Sequence, residues 1–248
     1  MNELEYKDFY NRVGKLNGWD FSKVKCTSEG VKWDFYHEVT QRCKESDALL
    51  DIGTGGGEAL LSIAKYALRL VGIDNSAGMF EKAKSNLRHS GHTNVSFMLM
   101  DADKIDFPNN SFHVVSCRHS PFNTAEVARI LVDDGIFLTQ QVSEADKLNI
   151  RQAFGLNQGS VQDGTLKNRY ISELYEAGFT EVKAIEYDAT DYYETYEDLV
   201  FLLKHTPIVP NFGQDEHDFV ILDQFIKANQ TSKGIKTNSK RFMIIAKK

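Results

Sequence analysis

The chain has 248 residues, 42% of them hydrophobic and 26% charged, which is typical of a soluble globular protein with one large domain or one domain and a cap. The formal net charge of −6 argues against a nucleic-acid partner, because phosphate binding depends on clustered Lys and Arg. No apolar run has the length of a membrane span, and the acidic start is not expected to be a signal peptide. The three cysteines include no CxxC pair and indicate free thiols in a reducing compartment. A cytoplasmic protein is therefore expected.

The first 45 residues are rich in aromatic side chains and less regular than the rest. A helical pattern over residues 31–43 brings Trp33, Tyr36 and His37 to one face. We expect this helix to pack on the edge of a sheet, so that residues 1–45 form an N-terminal helical cap.

A glycine-rich turn follows a buried strand at residues 48–52, and a helical pattern follows the turn. Glycines at positions 53, 55 and 57 let the backbone turn sharply and approach a ligand. The N–H groups at the start of the helix would face that ligand. Asp51 stands at the carboxyl end of the strand, on the edge where open α/β sheets bind small molecules.

The glycine spacing separates two kinds of nucleotide ligand. A dinucleotide fingerprint, G-x-G-x-x-G, would need a glycine where Glu58 or Leu60 stands, and a carboxylate at the helix start would repel a pyrophosphate. The sequence D-x-G-x-G-x-G over residues 51–57 instead resembles motif I of the class I S-adenosylmethionine (SAM)-dependent methyltransferases. In that family the turn wraps the methionine part of SAM, whose cationic groups suit an acidic rim. A turn with no ligand, or with a different one, is the alternative.

The next two strands also end in acids. Residues 69–74 close on Asp74, placed as in NAD-binding and SAM-binding folds to hydrogen-bond both ribose hydroxyls. Ser76 is predicted to cap a helix over residues 77–87, in which the resemblance places Met79 near adenine, with a plain core role as the alternative. A strand over residues 94–100 closes on Asp101, whose carboxylate can accept from the adenine amine.

The stretch after Asp101 is similar to the D-A-x-x-L-P-F-x-x-x-S-F-D-V-V segment of the same family, with His113 where Asp is usual. Three motifs in the right order favour SAM as cofactor and S-adenosylhomocysteine (SAH) as product. The predicted cofactor-binding residues are Asp51, Gly53, Thr54, Gly55, Gly57, Asp74, Asn75, Met79, Asp101, Ala102 and Arg118.

A fourth strand, residues 114–117, leads directly into Arg118 and His119 on the ligand edge. His119 is the candidate catalytic residue, as a general base toward a substrate O–H or N–H, since its ordinary pKa lies near neutral pH. The alternatives are a histidine bonded to backbone in a tight turn, or one that orients the methionine carboxylate with Arg118. No base is required, because alignment of donor and acceptor can supply much of the rate.

The second half departs from this pattern. After a fifth strand at residues 136–142, a capping box over residues 143–146 predicts a helix to Phe154, with further helices near residues 166–177, 197–205 and 216–228. The predicted units are a cap (residues 1–45), a SAM-binding core (46–191), a helical insert (192–239) and a final strand (240–248). The insert is the expected substrate lid, and its polar end, residues 229–240, is expected to be an exposed connection.

Seven acids and several tyrosines between residues 181 and 198 suggest a site for a cationic substrate. The preferred interpretation is more local, with Thr195 as an N-cap and acids favouring the start of the following helix. No cluster has metal-ligand spacing.

The sequence therefore predicts an α/β protein with a Rossmann-like, doubly wound, seven-stranded and mostly parallel sheet that ends in an antiparallel strand. The resemblance implies methyl transfer from SAM to a small molecule, and the sequence itself indicates no metal site and no membrane partner. An RNA methyltransferase, a non-catalytic SAM-binding module and a nicotinamide-dependent oxidoreductase stay open as alternatives. The sequence indicates neither the acceptor nor the oligomeric state.

Overall fold

The computed structural model describes residues 24–156 and 161–248. The strands are β1 (Cys26–Glu29), β2 (Ala48–Ile52), β3 (Arg69–Asp74), β4 (Val95–Leu99), β5 (Phe112–Arg118), β6 (Leu131–Val142), β7 (Glu181–Tyr193), β8 (Gln230–Thr231) and β9 (Gly234–Lys247). The helices are α1 (Phe35–Thr40), α2 (Glu58–Ser62), α3 (Ala77–Ser90), α4 (Thr124–Ile130), α5 (Leu148–Ala153), α6 (Thr165–Glu176), α7 (Tyr196–His205) and α8 (His217–Asn229).

One mixed sheet runs in the order β1-β7-β9-β6-β5-β2-β3-β4, with β8 paired to β9. Strands β2 to β6 pair in parallel, and β9 lies antiparallel between β6 and β7. The α/β class, the mostly parallel sheet and the antiparallel terminal strand are therefore confirmed. The described residues contain nine strands instead of the predicted seven, because β1 and β8 were not expected.

The two additional strands belong to a ribbon that extends beyond the rest of the sheet. β9 pairs with β6 only through residues 241–247, and residues 235–240 continue past the carboxyl end of β6, paired with β7. The extended part of β7 offers a free edge, to which β1 adds antiparallel. The prediction of an exposed connection over residues 229–240 is wrong, and the final strand begins at Gly234, well before Lys240. The predicted N-terminal cap likewise contains a strand as well as a helix, and its residues 1–23 lie outside the described part of the chain.

The capping box predicted at residues 143–146 is also wrong. Helix α5 begins only at Leu148, after Lys147 in a left-handed conformation, and no side chain caps it. The side chains of the supposed box have other partners: Ser143 donates to Asp163, and Asp146 accepts from the N–H of Lys240 at 2.9 Å and from the Arg241 guanidinium. Partners distant in sequence have taken the groups that a local cap would use.

Three apolar clusters support this architecture. One lies on the sheet face covered by α4 and α6 and includes Phe137 and Leu174, and the opposite face, under α1, α2 and α3, holds Leu49 and Leu60. The third cluster joins α5, α7 and α8 to the extended ribbon. The insert thus has its own small core, and the ribbon anchors it beyond the carboxyl end of β6.

Candidate cofactor and active site

The candidate site lies where the strand order reverses. Strands β3 and β4 lie on one side of β2, and β5 and β6 lie on the other. In open α/β sheets a crevice opens at this point beyond the carboxyl ends of the strands, and small ligands bind there. The glycine turn after β2 and the loop after β5 both start at this crevice.

The glycine turn has a left-handed backbone, with φ of 68°, 58° and 76° at Gly53, Gly55 and Gly57. Its conformation also serves packing. A Cβ at Gly53 would lie 2.3 Å from the Ser120 side chain, and one at Gly57 would lie 2.3 Å from the Phe97 ring. These two glycines are therefore required whether or not a ligand touches them, and the helix that follows, α2, is only five residues long.

Thr54, inside the turn, carries an unused polar atom. Its hydroxyl oxygen is close enough to the Asp51 carboxyl to favour the ionised form, yet it has no hydrogen-bond partner of normal geometry among the described residues. Buried polar groups are rarely left without a partner in a folded protein. This group fits a site that a polar ligand completes.

Asp51 is 1% exposed at the end of β2. Its carboxylate accepts from the Ser116 hydroxyl at 2.6 Å and from the Tyr36 hydroxyl at 3.3 Å. Burial raises the pKa of Asp51 to about 6, against the opposing effect of these hydroxyls and of Arg118. A buried carboxylate surrounded by hydroxyl groups is an electrostatic complement for a cationic ligand.

Asp74 lies at the end of β3 and already has two partners. One carboxylate oxygen accepts from the N–H of Gly55 at 2.9 Å and the other from the N–H of Ser76 at 2.8 Å. Burial raises the pKa of Asp74, and these two N–H groups oppose the rise. Asp74 thus holds the glycine turn against β3, and the remaining lone pairs of its carboxylate are available to a ligand.

The other predicted cofactor residues differ in exposure. Asn75 and Asp101 are exposed, Ala102 is half-buried, and Met79 is 3% exposed. Asp101 makes only a local hydrogen bond, from the N–H of Asp103 at 3.0 Å, so its carboxylate is accessible at the edge beyond β4. The burial of Met79 favours the core alternative for its side chain.

Arg118 and His119 stand at the carboxyl end of β5. The exposed Arg118 places its guanidinium over the Tyr36 ring, 5.8 Å from the ring centre. The half-buried His119 has its Nε2 2.9 Å from the side-chain nitrogen of Gln140 on β6, and Gln140 accepts from the Trp33 indole N–H at 2.7 Å. Burial, with the positive charges of Arg241 and Arg118, holds the pKa of His119 well below its ordinary value.

Sequence reasoning gave no role to Ser116 or Gln140 and no specific role to Tyr36. Each contacts a predicted site residue from a distant part of the chain, as Tyr36 and Ser116 do with Asp51. The polar residues inside otherwise apolar strands were the available signal, because a buried polar side chain needs a partner.

Four of the seven acids between residues 181 and 198 have protein partners in the structure: Glu186, Asp191, Glu194 and Asp198. Asp191 accepts from the Lys147 ammonium at 2.6 Å and from the Ser28 hydroxyl at 2.6 Å. Asp198 and Thr195 form the capping box of α7, as the local interpretation predicted. These contacts leave the acids a structural role and weaken the idea of a cationic-substrate site here.

Within the two described ranges, no group of three or more His, Cys, Asp or Glu side chains is arranged to hold a metal ion. The same ranges contain no helix long and apolar enough to span a bilayer.

Comparison with known proteins identifies the central part of the chain. Residues 49–135 match the family model of a methyltransferase domain. Over 106 residues the chain is 34% identical to an uncharacterized methyltransferase, YcgJ of Bacillus subtilis, covering 40% of this chain and 42% of that protein. It is 36% identical over 109 residues to aklanonic acid methyltransferase DauC of Streptomyces, covering 40% of this chain and 50% of DauC.

These matches span half or less of the relatives' length. The crystal structure of YcgJ superimposes with a TM-score of 0.62 and 22% identity, covering 86% of this chain and 97% of that one, which shows that the fold is shared. The family model covers the glycine turn and the acids that end β2, β3 and β4. Residues 49–135 therefore form a methyltransferase domain that is similar to those of the class I SAM-dependent methyltransferases.

Proposed function

We propose that the protein transfers a methyl group from SAM to an O, N or C atom of a small molecule. The observation that carries the proposal is Asp51: a carboxylate buried beside the glycine turn, with no cation in hydrogen-bonding contact among the described residues. SAM brings an ammonium and a sulfonium, whereas the pyrophosphate of NAD would meet a like charge.

The chain's residues divide among the parts of this cofactor. Asp51 and the turn from Gly53 to Gly57, with the unused hydroxyl of Thr54, would hold the methionine part. Asp74 and Asn75 would hold the ribose, and Asp101 with Ala102 the adenine, beside Met79. Arg118 would pair with the methionine carboxylate. SAM supplies an electrophilic methyl group, and the protein's task is to align it with the acceptor.

The insert is the proposed lid over the acceptor. It is built on the β7–β9 ribbon, whose extension continues past the carboxyl end of β6 on the ligand side of the sheet. The third apolar cluster joins α7 and α8 into one unit with the ribbon. A small-molecule acceptor is also in keeping with the relative DauC, a methyltransferase of aklanonic acid.

Calorimetric titration with SAH tests the cofactor site. We expect micromolar binding, no comparable binding of NAD, and at least tenfold weaker SAH binding in Asp101→Ala. Asp101 is the sharper substitution, because its carboxylate is exposed and bonds only its own loop, whereas loss of the Asp74 carboxylate would also release Gly55 and Ser76.

Asp103→Ala is the matched control, an exposed acid in the same loop with no assigned role. Tight binding of NAD without SAH would contradict the proposal. Equal SAH affinity in both variants and in the wild type would remove Asp101 from the adenine site. If SAH binds, methyl transfer from SAM to a panel of phenols, carboxylic acids and amines then tests the acceptor class.

A further inference from the structure

Gln140 contacts both the backbone and the ring of His119. Its backbone is in the left-handed region, with φ of 56°, and its N–H donates to the backbone oxygen of Gln140 at 2.8 Å. The Gln140 side-chain nitrogen then lies 2.9 Å from Nε2 of the ring. Both the position and the orientation of His119 therefore depend on β6.

Trp33 determines which way the Gln140 amide faces. An indole N–H is only a donor, so the atom 2.7 Å from it must be the amide oxygen. The amide nitrogen, which is only a donor, therefore faces His119, and Nε2 of the imidazole must accept. In a neutral ring that accepts at Nε2, the proton is on Nδ1.

We propose that Gln140 is a positioning residue that, held by Trp33, fixes His119 as a neutral imidazole with its proton on Nδ1. In this state the ring offers the ligand crevice a hydrogen-bond donor, and its basic nitrogen is occupied by Gln140. His119 is then not a general base toward the acceptor.

The surrounding charges reinforce the neutral state. Arg118 at the end of β5 and Arg241 on β9 both oppose protonation of His119, and burial does so more strongly, so the pKa of the ring is held well below its ordinary value. Arg241 itself is paired with the carboxylate of Asp146. A second proton on the ring would face two guanidinium groups and the Gln140 amide N–H.

The chain contains its own reference for the opposite tautomer. His113, on the same strand β5, accepts at Nδ1 from the backbone N–H of Ala48 at 3.1 Å. When neutral, it must therefore carry its proton on Nε2. Among the described residues, none accepts a hydrogen bond from Nδ1 of His119.

Nitrogen NMR of the full chain with labelled histidine tests the proposal. At pH 7 we expect Nδ1 of His119 to carry the proton and Nε2 to be unprotonated, with the reverse in neutral His113. In Gln140→Glu, a carboxylate replaces the donor facing Nε2, so the proton should move to Nε2 and the His119 pKa should rise by at least one unit.

Gln141→Glu is the matched control. Gln141 is the next residue on β6, is equally buried, and donates instead to the Ser120 oxygen and the Thr139 hydroxyl, each at 2.8 Å. This variant should leave the His119 tautomer unchanged. A proton on Nε2 of His119 in the wild-type protein, or titration near pH 6.5, would overturn the proposal without any variant.

The tautomer does not depend on the cofactor, whereas the donor role toward a ligand rests on the proposed function. Failure of SAH to bind would count against methyl transfer and leave the NMR result standing. SAH binding with the Nε2–H tautomer at His119 would count against the role of Gln140 alone.

Discussion

Two buried carboxylates of the sheet are in opposite electrostatic states. Asp51 on β2 accepts hydrogen bonds from the hydroxyls of Ser116 and Tyr36, and burial raises its pKa to about 6. Asp191 on the β7 ribbon contacts the ammonium of Lys147, which is 2% exposed. Burial alone would raise the pKa of Asp191, but Lys147 and a serine hydroxyl hold it below its ordinary value.

The difference separates an incomplete site from a completed one. Asp191 has its counter-ion within the protein and ties the segment before α5 to the ribbon, and Lys147 also donates to Thr237 on β9 at 2.8 Å. Among the residues that the structure describes, Asp51 has no counter-ion in direct contact, so it destabilises the free protein when it is charged. An uncompensated buried charge beside a glycine turn is expected where a cationic ligand completes the structure.

The largest effect is expected from removal of the ribbon's counter-ion. In Lys147→Met the buried Asp191 loses its cation, and breaking such a pair costs about 3–5 kcal/mol of unfolding free energy. Urea denaturation at pH 7 measures it. The double variant Lys147→Met/Asp191→Leu should recover most of the loss, because a buried pair replaced by apolar residues is often neutral. An equally unstable double variant would show that shape, and not charge, fixes the ribbon.

Asp51→Asn is expected to raise the free energy of unfolding at pH 7, whereas Lys147→Met lowers it. The folded pKa of about 6 exceeds the ordinary value of 3.8, so the native state favours the protonated acid, and stability falls as pH rises from about 4 to 6. At pH 7 the charged form costs about 3 kcal/mol, at 1.36 kcal/mol per pKa unit. The variant should therefore be up to that much more stable at pH 7, with little gain at pH 4.

Matched denaturation curves at the two pH values test this sign. A variant that is less stable at pH 7 would show that the Ser116 and Tyr36 hydrogen bonds outweigh the desolvation of Asp51. The stabilised variant should bind SAM more weakly, since the charge that destabilises the free protein is the one assigned to the cofactor.

The pH dependence of cofactor affinity tests the same carboxylate in the unmodified protein. Below pH 6 a cationic ligand must bind to a protonated Asp51, so SAM affinity should fall about tenfold between pH 7.5 and pH 5, which is about 1.4 kcal/mol. Calorimetry across this range gives the profile, and Asp51→Asn is the control, with a flat profile expected. A profile unchanged by the substitution would assign the titration to another group.

The contrast between the regions around Asp51 and Asp191 also explains which parts of the structure could be predicted from the sequence. Around Asp51 the signals are local: an apolar strand, alternate glycines and an acid at each strand end, all within residues 48–102. They predicted β2, β3 and β4 and placed Asp74 and Asp101 on the ligand edge. Local signals suffice where strand and turn chemistry decide the structure.

Around Asp191 the determinants lie far apart in the sequence. Residues 229–240 look polar, yet Ile235, Thr237 and Ser239 are buried on one face of β9, and this alternation was the overlooked strand signal. The contact of Lys147 with Asp191 spans 44 residues, and that of Trp33 with Gln140 spans 107. One sequence does not reveal such pairings, so the ribbon and the orientation of His119 required the structure.

The smallest expected effect concerns the insert alone. The Thr195 hydroxyl caps α7 by accepting from the N–H of Asp198 at 3.1 Å. The Asp198 carboxylate in turn accepts from the N–H of Thr195 at 3.0 Å. Thr195→Ala removes the first bond and also the one that the Thr195 hydroxyl donates to the Asp198 carboxylate at 2.7 Å. The loss should cost about 1 kcal/mol, seen as faster amide hydrogen exchange in α7. Thr195→Ser, which keeps the hydroxyl, should exchange like the wild type. Since Thr195 lies in the insert, we expect the SAH affinity of Thr195→Ala to match that of the wild type. A lower SAH affinity in this variant would show that the insert and the Asp51 site are coupled even without acceptor.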